Sequence, residues 1–148
     1  MTIELDADVE KLPSRRRTQP EGVQIARQLL AGVGNYRMRR AIILLGYCQD
    51  GYWLCRFAHD PTLAGILEPA EHPTLMDWDQ VVELLRTPEV LKDDDLEPGA
   101  MDPHLVLLEI AASLGAGHPV DLRRAARVLP AAEWRDLLGR IEPAADFA

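Results

Sequence analysis

Residues 40–58 read RAIILLGYCQDGYWLCRFA and carry the clearest local signal for secondary structure. Two runs rich in apolar and aromatic residues, 40–48 and 52–58, flank the sequence Gln49-Asp50-Gly51. An Asp-Gly pair between two such runs is typical of a β-hairpin turn. The sequence therefore predicts an antiparallel hairpin. Because an isolated hairpin is marginally stable in water, this one needs helices or further strands over its apolar face.

Two turn geometries are compatible with this hairpin. A two-residue loop of Asp50 and Gly51 places Cys48 opposite Trp53, with both cysteines on one face of the sheet. A three-residue loop ending at Gly51 places the two cysteines on opposite faces, because a register shift of one residue reverses the pleat. In neither register do Cys48 and Cys55 lie directly opposite each other, so no structural disulfide is predicted.

Capping residues predict where the helices begin. Thr18 followed by Glu21, and Asp77 followed by Gln80, have the capping-box spacing, in which each side chain bonds the other residue's backbone N–H. Aspartate before proline at residues 102–103 is a further start signal. The predicted helices cover residues 20–32, 77–87, 102–114, 121–129 and 131–141.

The predicted fold class is α+β, a small antiparallel hairpin or sheet packed against four to five helices, with an all-helical C-terminal half. Residues 1–17 are predicted to be an arginine-containing arm, 18–142 one domain, and 143–148 a frayed tail. The helix at 102–114 is apolar around most of its circumference, which predicts a central position in the core or a homodimer through this helix. The predicted core joins the hairpin's apolar face to Trp78, Val82, Leu85, Leu105, Leu108, Ala112, Leu122, Leu137 and Ile141.

Charge is distributed unevenly along the 148 residues, whose formal net charge is -8. Residues 68–109 carry 12 carboxylates against two basic side chains, whereas residues 1–40 carry a net charge of +3. An acidic region of this kind repels nucleic acids and membrane surfaces and attracts basic partners. No apolar run approaches the roughly 20 residues needed to span a bilayer, and residues 1–12 lack a signal-peptide core, so the expected location is the cytoplasm.

Residues for several kinds of catalysis are missing from the sequence. The two lysines, Lys11 and Lys92, lie outside any P-loop or buried setting, and neither Ser14 nor Ser113 has the G-x-S-x-G context of an activated nucleophile. The sequence has no C-x-x-C or H-E-x-x-H spacing for zinc. We therefore expect no enzymatic activity, no cofactor and no metal.

The most suggestive pair of titratable residues is His59 beside Asp60. Adjacent residues at the end of a strand point to opposite faces, so the pair is not expected to form a catalytic dyad. A small hydrolase or metal enzyme built around His59 and the two cysteines is the weakest of the functional hypotheses.

The leading hypothesis is a non-enzymatic accessory or adaptor protein that binds another protein with a basic surface. Large aromatic side chains are common at interface centres, and an acidic rim at residues 89–97 would supply charge complementarity. The predicted partner-binding residues are Tyr47, Tyr52, Trp53, Asp93, Asp94, Asp95 and Glu97. The alternative is a nucleic-acid-associated regulator, since an arginine cluster near the N-terminus could neutralise phosphates. Its predicted contact residues are Arg15, Arg16, Arg17, Arg37, Arg39 and Arg40.

Overall fold

The computed structural model describes residues 20–87, 89, 91 and 102–141. This part of the chain is predominantly helical and contains one two-stranded antiparallel ribbon. A mixture of helices with a small antiparallel sheet, as predicted, is confirmed in this coarse form. The elements are α1 (Glu21–Leu30), α2 (Tyr36–Tyr47), α3 (Tyr52–His59), β1 (Leu67–Glu68), β2 (Leu75–Met76), α4 (Trp78–Leu85), α5 (Pro103–Ala116), α6 (Leu122–Val128) and α7 (Ala131–Ile141).

The predicted hairpin at residues 40–58 is wrong, because both of its arms are helices. α2 begins after Asn35, whose side chain caps the helix by accepting a hydrogen bond from the Met38 backbone N–H at 3.0 Å. Ala41, Leu44, Leu45 and Cys48 are buried at the three- and four-residue spacing of a helix, and Trp53, Leu54 and Phe57 repeat this spacing in α3. Helical periodicity therefore outweighs the Asp-Gly turn signal.

The turn between α2 and α3, Cys48–Gly51, holds three successive residues in the left-handed region. The φ angles are 53° at Gln49, 57° at Asp50 and 70° at Gly51. This conformation costs a residue with a Cβ roughly 1–2 kcal/mol. The Gln49 side chain stabilises the turn by donating to the Pro103 carbonyl oxygen at 3.2 Å and to Glu133 Oε1 at 3.1 Å. Asp50 is exposed.

We expect Asp50→Gly to raise the free energy of unfolding by about 0.5–1 kcal/mol, because glycine adopts a positive φ without steric cost. The matched control is Asp79→Gly in α4, where the backbone is helical and glycine lowers stability. Urea denaturation of both variants measures the difference. Equal destabilisation by the two substitutions would show that the turn at Asp50 is unstrained.

Glycines allow α1, α2 and this turn to approach each other at backbone contact. A Cβ added to Gly22 would lie 2.6 Å from the Gly51 Cα atom, and one added to Gly46 would lie 2.5 Å from the Ala26 Cβ atom. Real Cβ atoms essentially never approach other atoms so closely. We call Gly22, Gly46 and Gly51 the glycine crossing.

α4 and α5 begin where the capping residues predict, but α4 lacks the reciprocal bond of a capping box, since the Asp77 backbone N–H donates to the Ile66 carbonyl oxygen. Asp77 accepts hydrogen bonds from the backbone N–H and the side-chain Nε2 of Gln80, at 3.2 and 2.9 Å, and these bonds lower the pKa of the Asp77 carboxyl. Asp102 caps α5 by accepting from the His104 backbone N–H at 2.9 Å. By contrast, α1 begins after Pro20 without a side-chain cap, and Thr18 lies outside the described residues.

The antiparallel ribbon lies in the proline-rich stretch between α3 and α4. Leu67 pairs with Met76 and Glu68 with Leu75. The alternation of the strands buries Leu67 and Met76 and leaves Glu68 and Leu75 exposed. The ribbon therefore contributes one apolar pair to the core.

The core is centred on α5, which buries seven of its fourteen residues and packs mainly against α2 and α4. Its apolar circumference, which prompted the homodimer prediction, is thus covered largely within one chain. Leu122 is 58% exposed, so its place in the predicted core was wrong, and Val82 and Ile141 are half-buried. The other predicted helical core residues are buried: Trp78, Leu85, Leu105, Leu108, Ala112 and Leu137.

None of the helices in the described ranges is long and apolar enough to cross a bilayer.

Candidate partner-binding surface

A stacked ring pair joins α3 to the start of α5. The half-buried rings of Tyr52 and His104 are nearly parallel, with an interplanar angle of 5° and ring centroids 3.7 Å apart. The Tyr52 hydroxyl accepts a hydrogen bond from Arg56 Nη1 at 3.2 Å. Tyr52 and Arg56 lie four residues apart on α3, so the helix places both side chains on one face.

Arg56 connects this ring pair to the segment that follows α4. Its Nη1 donates to the Leu91 carbonyl oxygen at 2.7 Å, and its Nε donates to Asp60 Oδ2 at 3.3 Å. The guanidinium carbon also lies 5.4 Å from the centroid of the Trp53 ring, which is cation–π distance. Hydrogen bonds from the Thr62 side chain and backbone, followed by the Arg56 bond, lower the pKa of Asp60. Arg56 therefore contacts the Asp60 carboxylate, the Leu91 carbonyl oxygen and the rings of Trp53 and Tyr52.

Leu91 precedes residues 92–101, which lie outside the described residues, and Asp102 follows them. Among the described residues, Asp102 is the one buried charged side chain, at 5% exposure. Its Oδ1 caps α5 and lies 3.7 Å from His104 Nδ1. Leu91 and Asp102, which flank residues 92–101 in the chain, are therefore both held next to the same group of side chains. We name Tyr52, Arg56, Asp102 and His104 the anchor cluster.

The acidic residues predicted to bind the partner belong to the segment that the anchor cluster flanks. Asp93, Asp94, Asp95 and Glu97 lie outside the described residues. In the sequence they lie between Leu91 and Asp102.

Trp53 is not a surface residue, so its place among the predicted partner contacts was wrong. Its side chain is fully buried, and its Nε1 donates to the His104 carbonyl oxygen at 2.5 Å. The ring packs against Phe57 at 5.6 Å between centroids, one helical turn further along α3. Because α3 is a helix and not a strand, Trp53 faces the core while Tyr52 lies at its edge.

Tyr47 has different neighbours from Tyr52, so the two tyrosines do not form the common hairpin face that was predicted. The Tyr47 ring is half-buried at the end of α2 and lies under the Arg140 guanidinium, 5.2 Å from its carbon. Tyr52 faces α5 instead. Of the two tyrosines, Tyr52 contacts Arg56 and His104, next to Leu91 and Asp102, whereas Tyr47 does not.

The structure describes three of the arginines predicted to contact nucleic acid, and two of them bond backbone carbonyl groups of the protein itself. Arg39 Nη1 donates to the carbonyl oxygens of Leu30 and Val33, at 2.8 and 2.9 Å, and so binds the C-terminal end of α1. Arg40 Nη1 donates to the Arg140 carbonyl oxygen at 3.1 Å. Arg37 is exposed. Arg15, Arg16 and Arg17 lie outside the described residues, and the nucleic-acid hypothesis rests mainly on them and stays a prediction.

His59 pairs with a residue that sequence spacing did not indicate. Its Nε2 lies 2.5 Å from Glu21 Oε2, whereas Asp60 bonds Thr62 and Arg56. Burial, the nearby charge of Glu21 and a hydrogen bond to Glu21 raise the pKa of the Cys55 thiol. The carboxylate of Glu21 thus lies between a histidine and a thiol that is protonated at neutral pH, an arrangement that does not activate a nucleophile.

Cys48 is also a poor nucleophile. Burial, followed by the charge of Asp136, raises its pKa to about 12, and its Sγ donates to Asp136 Oδ2 at 3.6 Å. Both cysteines are free thiols. Within the part of the chain that the structure describes, no three His, Cys, Asp or Glu side chains are grouped so that they could hold a metal ion.

Comparisons of the sequence and the structure with protein-family models, with curated proteins and with solved structures find no match.

Proposed function

We propose that this protein is a non-enzymatic adaptor that binds another protein carrying a basic surface. The contact would be made by Tyr52 together with the acidic side chains of residues 89–97. The observation that supports the proposal is the anchor cluster, because it holds Leu91 and Asp102, the two flanks of the acidic segment, beside the half-buried Tyr52 ring.

The chemistry of these residues indicates the kind of partner. Residues 93–97 contain four carboxylates, which repel another acidic surface and attract arginine and lysine side chains. Tyrosine contributes a large ring with little conformational entropy to lose, which is why it is frequent at interface centres. A basic patch next to an apolar or aromatic contact is the complementary surface.

The test compares the proteins captured from native lysate by three forms of the purified chain, using quantitative mass spectrometry. The first is the unaltered protein, and the second carries Asp93→Asn, Asp94→Asn and Asp95→Asn. The third, a control of equal charge change, neutralises three exposed acidic residues outside the anchor cluster, Glu71, Asp79 and Glu83.

We expect a protein captured by the unaltered chain and by the control to be reduced at least tenfold with the Asp93–Asp95 variant. Tyr52→Ala should reduce the same protein without changing the net charge. The proposal is wrong if no protein is captured by the unaltered chain, or if the two charge variants lose the same proteins to the same extent.

A further inference from the structure

The helix α7 has the least apolar anchorage of the longer helices in the described ranges. Of its eleven residues, Leu137 alone is buried, whereas Trp134 and Ile141 are half-buried. The fourteen-residue α5 buries seven residues by comparison. Since burial of apolar side chains is the main source of stability for a docked helix, α7 is bound to the core much more weakly than α5.

The remaining contacts of α7 are the stacking of Arg140 on the Tyr47 ring and a few polar bonds that are partly open to water. Gln49 donates to Glu133, Cys48 donates to Asp136, and Arg40 donates to the carbonyl oxygen of Arg140. Such bonds exchange for bonds to water when a helix detaches, so each adds little net stability. α7 packs on α2 and on the turn between α2 and α3, while its neighbour α6 packs on α5.

The turn that α7 covers is also strained. Gln49 and Asp50 have positive φ angles, and the Gln49 side chain is held in place in part by Glu133 of α7. A small pocket that is partly open to solvent, lined by Cys48, Gln49, Glu133 and Asp136 among others, lies at the same contact.

We infer that α7 is a detachable helix, which swings away from α2 and the strained turn while the rest of the fold stays intact, and uncovers Cys48 as it does so. This is local opening, a motion expected of elements with few buried apolar contacts. It is independent of the proposed function. Cys48 is buried at 5% exposure when α7 is docked, and in that state its high pKa keeps it unreactive.

The thiol of Cys48 therefore reports the opening directly. We would measure its rate of reaction with an excess of a soluble aromatic disulfide in the Cys55→Ala background, which removes the half-buried second thiol. In the reaction the thiolate attacks the disulfide, forms a mixed disulfide and releases one coloured aromatic thiolate. The rate is recorded at a series of low urea concentrations and compared with global unfolding under the same conditions.

We expect labelling of Cys48 to be much faster than global unfolding allows and to depend only weakly on urea, because little surface is exposed when one helix detaches. Leu137→Ala should accelerate labelling by about 30-fold or more, since it removes the buried anchor. The matched control is Leu138→Ala on the same helix, where the side chain is 44% exposed and the change should stay within about threefold.

Hydrogen exchange gives the second measurement. The free energy of opening obtained from exchange of the α7 amides should equal that obtained from thiol labelling, while the amides of α5 stay protected. The inference is wrong if Cys48 labelling shows the same urea dependence as global unfolding, or if Leu137→Ala and Leu138→Ala change the rate equally. The urea dependence of the otherwise unaltered protein decides the question alone if Leu137→Ala does not fold.

Discussion

Replacing Gly22 with alanine lowers the free energy of unfolding by about 3 kcal/mol, at the upper end of the range for overpacked interiors. The added Cβ atom would lie 2.6 Å from the Gly51 Cα atom and 3.1 Å from the Gly46 carbonyl oxygen. Both contacts are with backbone, so no side chain can rotate away to relieve them. α1 must move away from the turn, and the contact between α1 and α2 opens with it.

The control for this prediction is Gly139→Ala in α7, where a Cβ would meet nothing within 4 Å. In the interior of a helix, alanine is more stable than glycine by roughly 0.5–1 kcal/mol. The Gly139→Ala variant should therefore be as stable as the unaltered protein or slightly more so. Urea denaturation monitored by circular dichroism measures both. Equal stability of the two variants would contradict the close backbone approach at the glycine crossing.

The second large effect is expected for Trp53→Ala, which should cost about 3–5 kcal/mol of stability, as is usual for truncation of a buried aromatic residue. The ring is fully buried against Phe57, and its indole N–H satisfies the carbonyl oxygen of His104. The variant would therefore leave a cavity and lose this hydrogen bond. Trp134→Ala is the comparison, since Trp134 is half-buried and its loss should cost less.

Unfolding of the two tryptophan variants, followed by calorimetry or in urea, decides whether Trp53 lies in the core or at the surface. A Trp53→Ala protein as stable as the unaltered one would place Trp53 at the surface, as the hairpin prediction had it.

The parts of the fold that sequence predicts well are those specified by neighbouring residues. Asp77 with Gln80, and Asp102 with Pro103, mark helix starts because the capping bonds join residues two or three positions apart. The hairpin prediction failed because it gave the local Asp-Gly signal more weight than the helical spacing of the apolar residues around it. Asn35, which caps α2, was the sequence signal that could have corrected it.

The candidate site was only partly predictable for a related reason. Tyr52 and the acidic segment stand out by residue type, but Arg56 and His104 acquire their importance from contacts with Leu91 and Tyr52, which lie 35 and 52 positions away in the chain. Once α3 is known to be a helix, the four-residue spacing of Tyr52, Arg56 and Asp60 is an interpretable pattern. The pairing of Glu21 with His59 has no comparable signal in the sequence.

We propose that the protein works by binding a basic partner through Tyr52 and the carboxylates of residues 93–97, and not by catalysing a reaction. The most direct measurement is calorimetric titration of the purified partner into the unaltered protein and into the Asp93–Asp95 asparagine variant, at several sodium chloride concentrations. The account predicts that Kd for the unaltered protein rises with salt, because mobile ions screen the attraction, and that the variant binds weakly with a reduced salt dependence. The same affinity for both proteins at every salt concentration would contradict it.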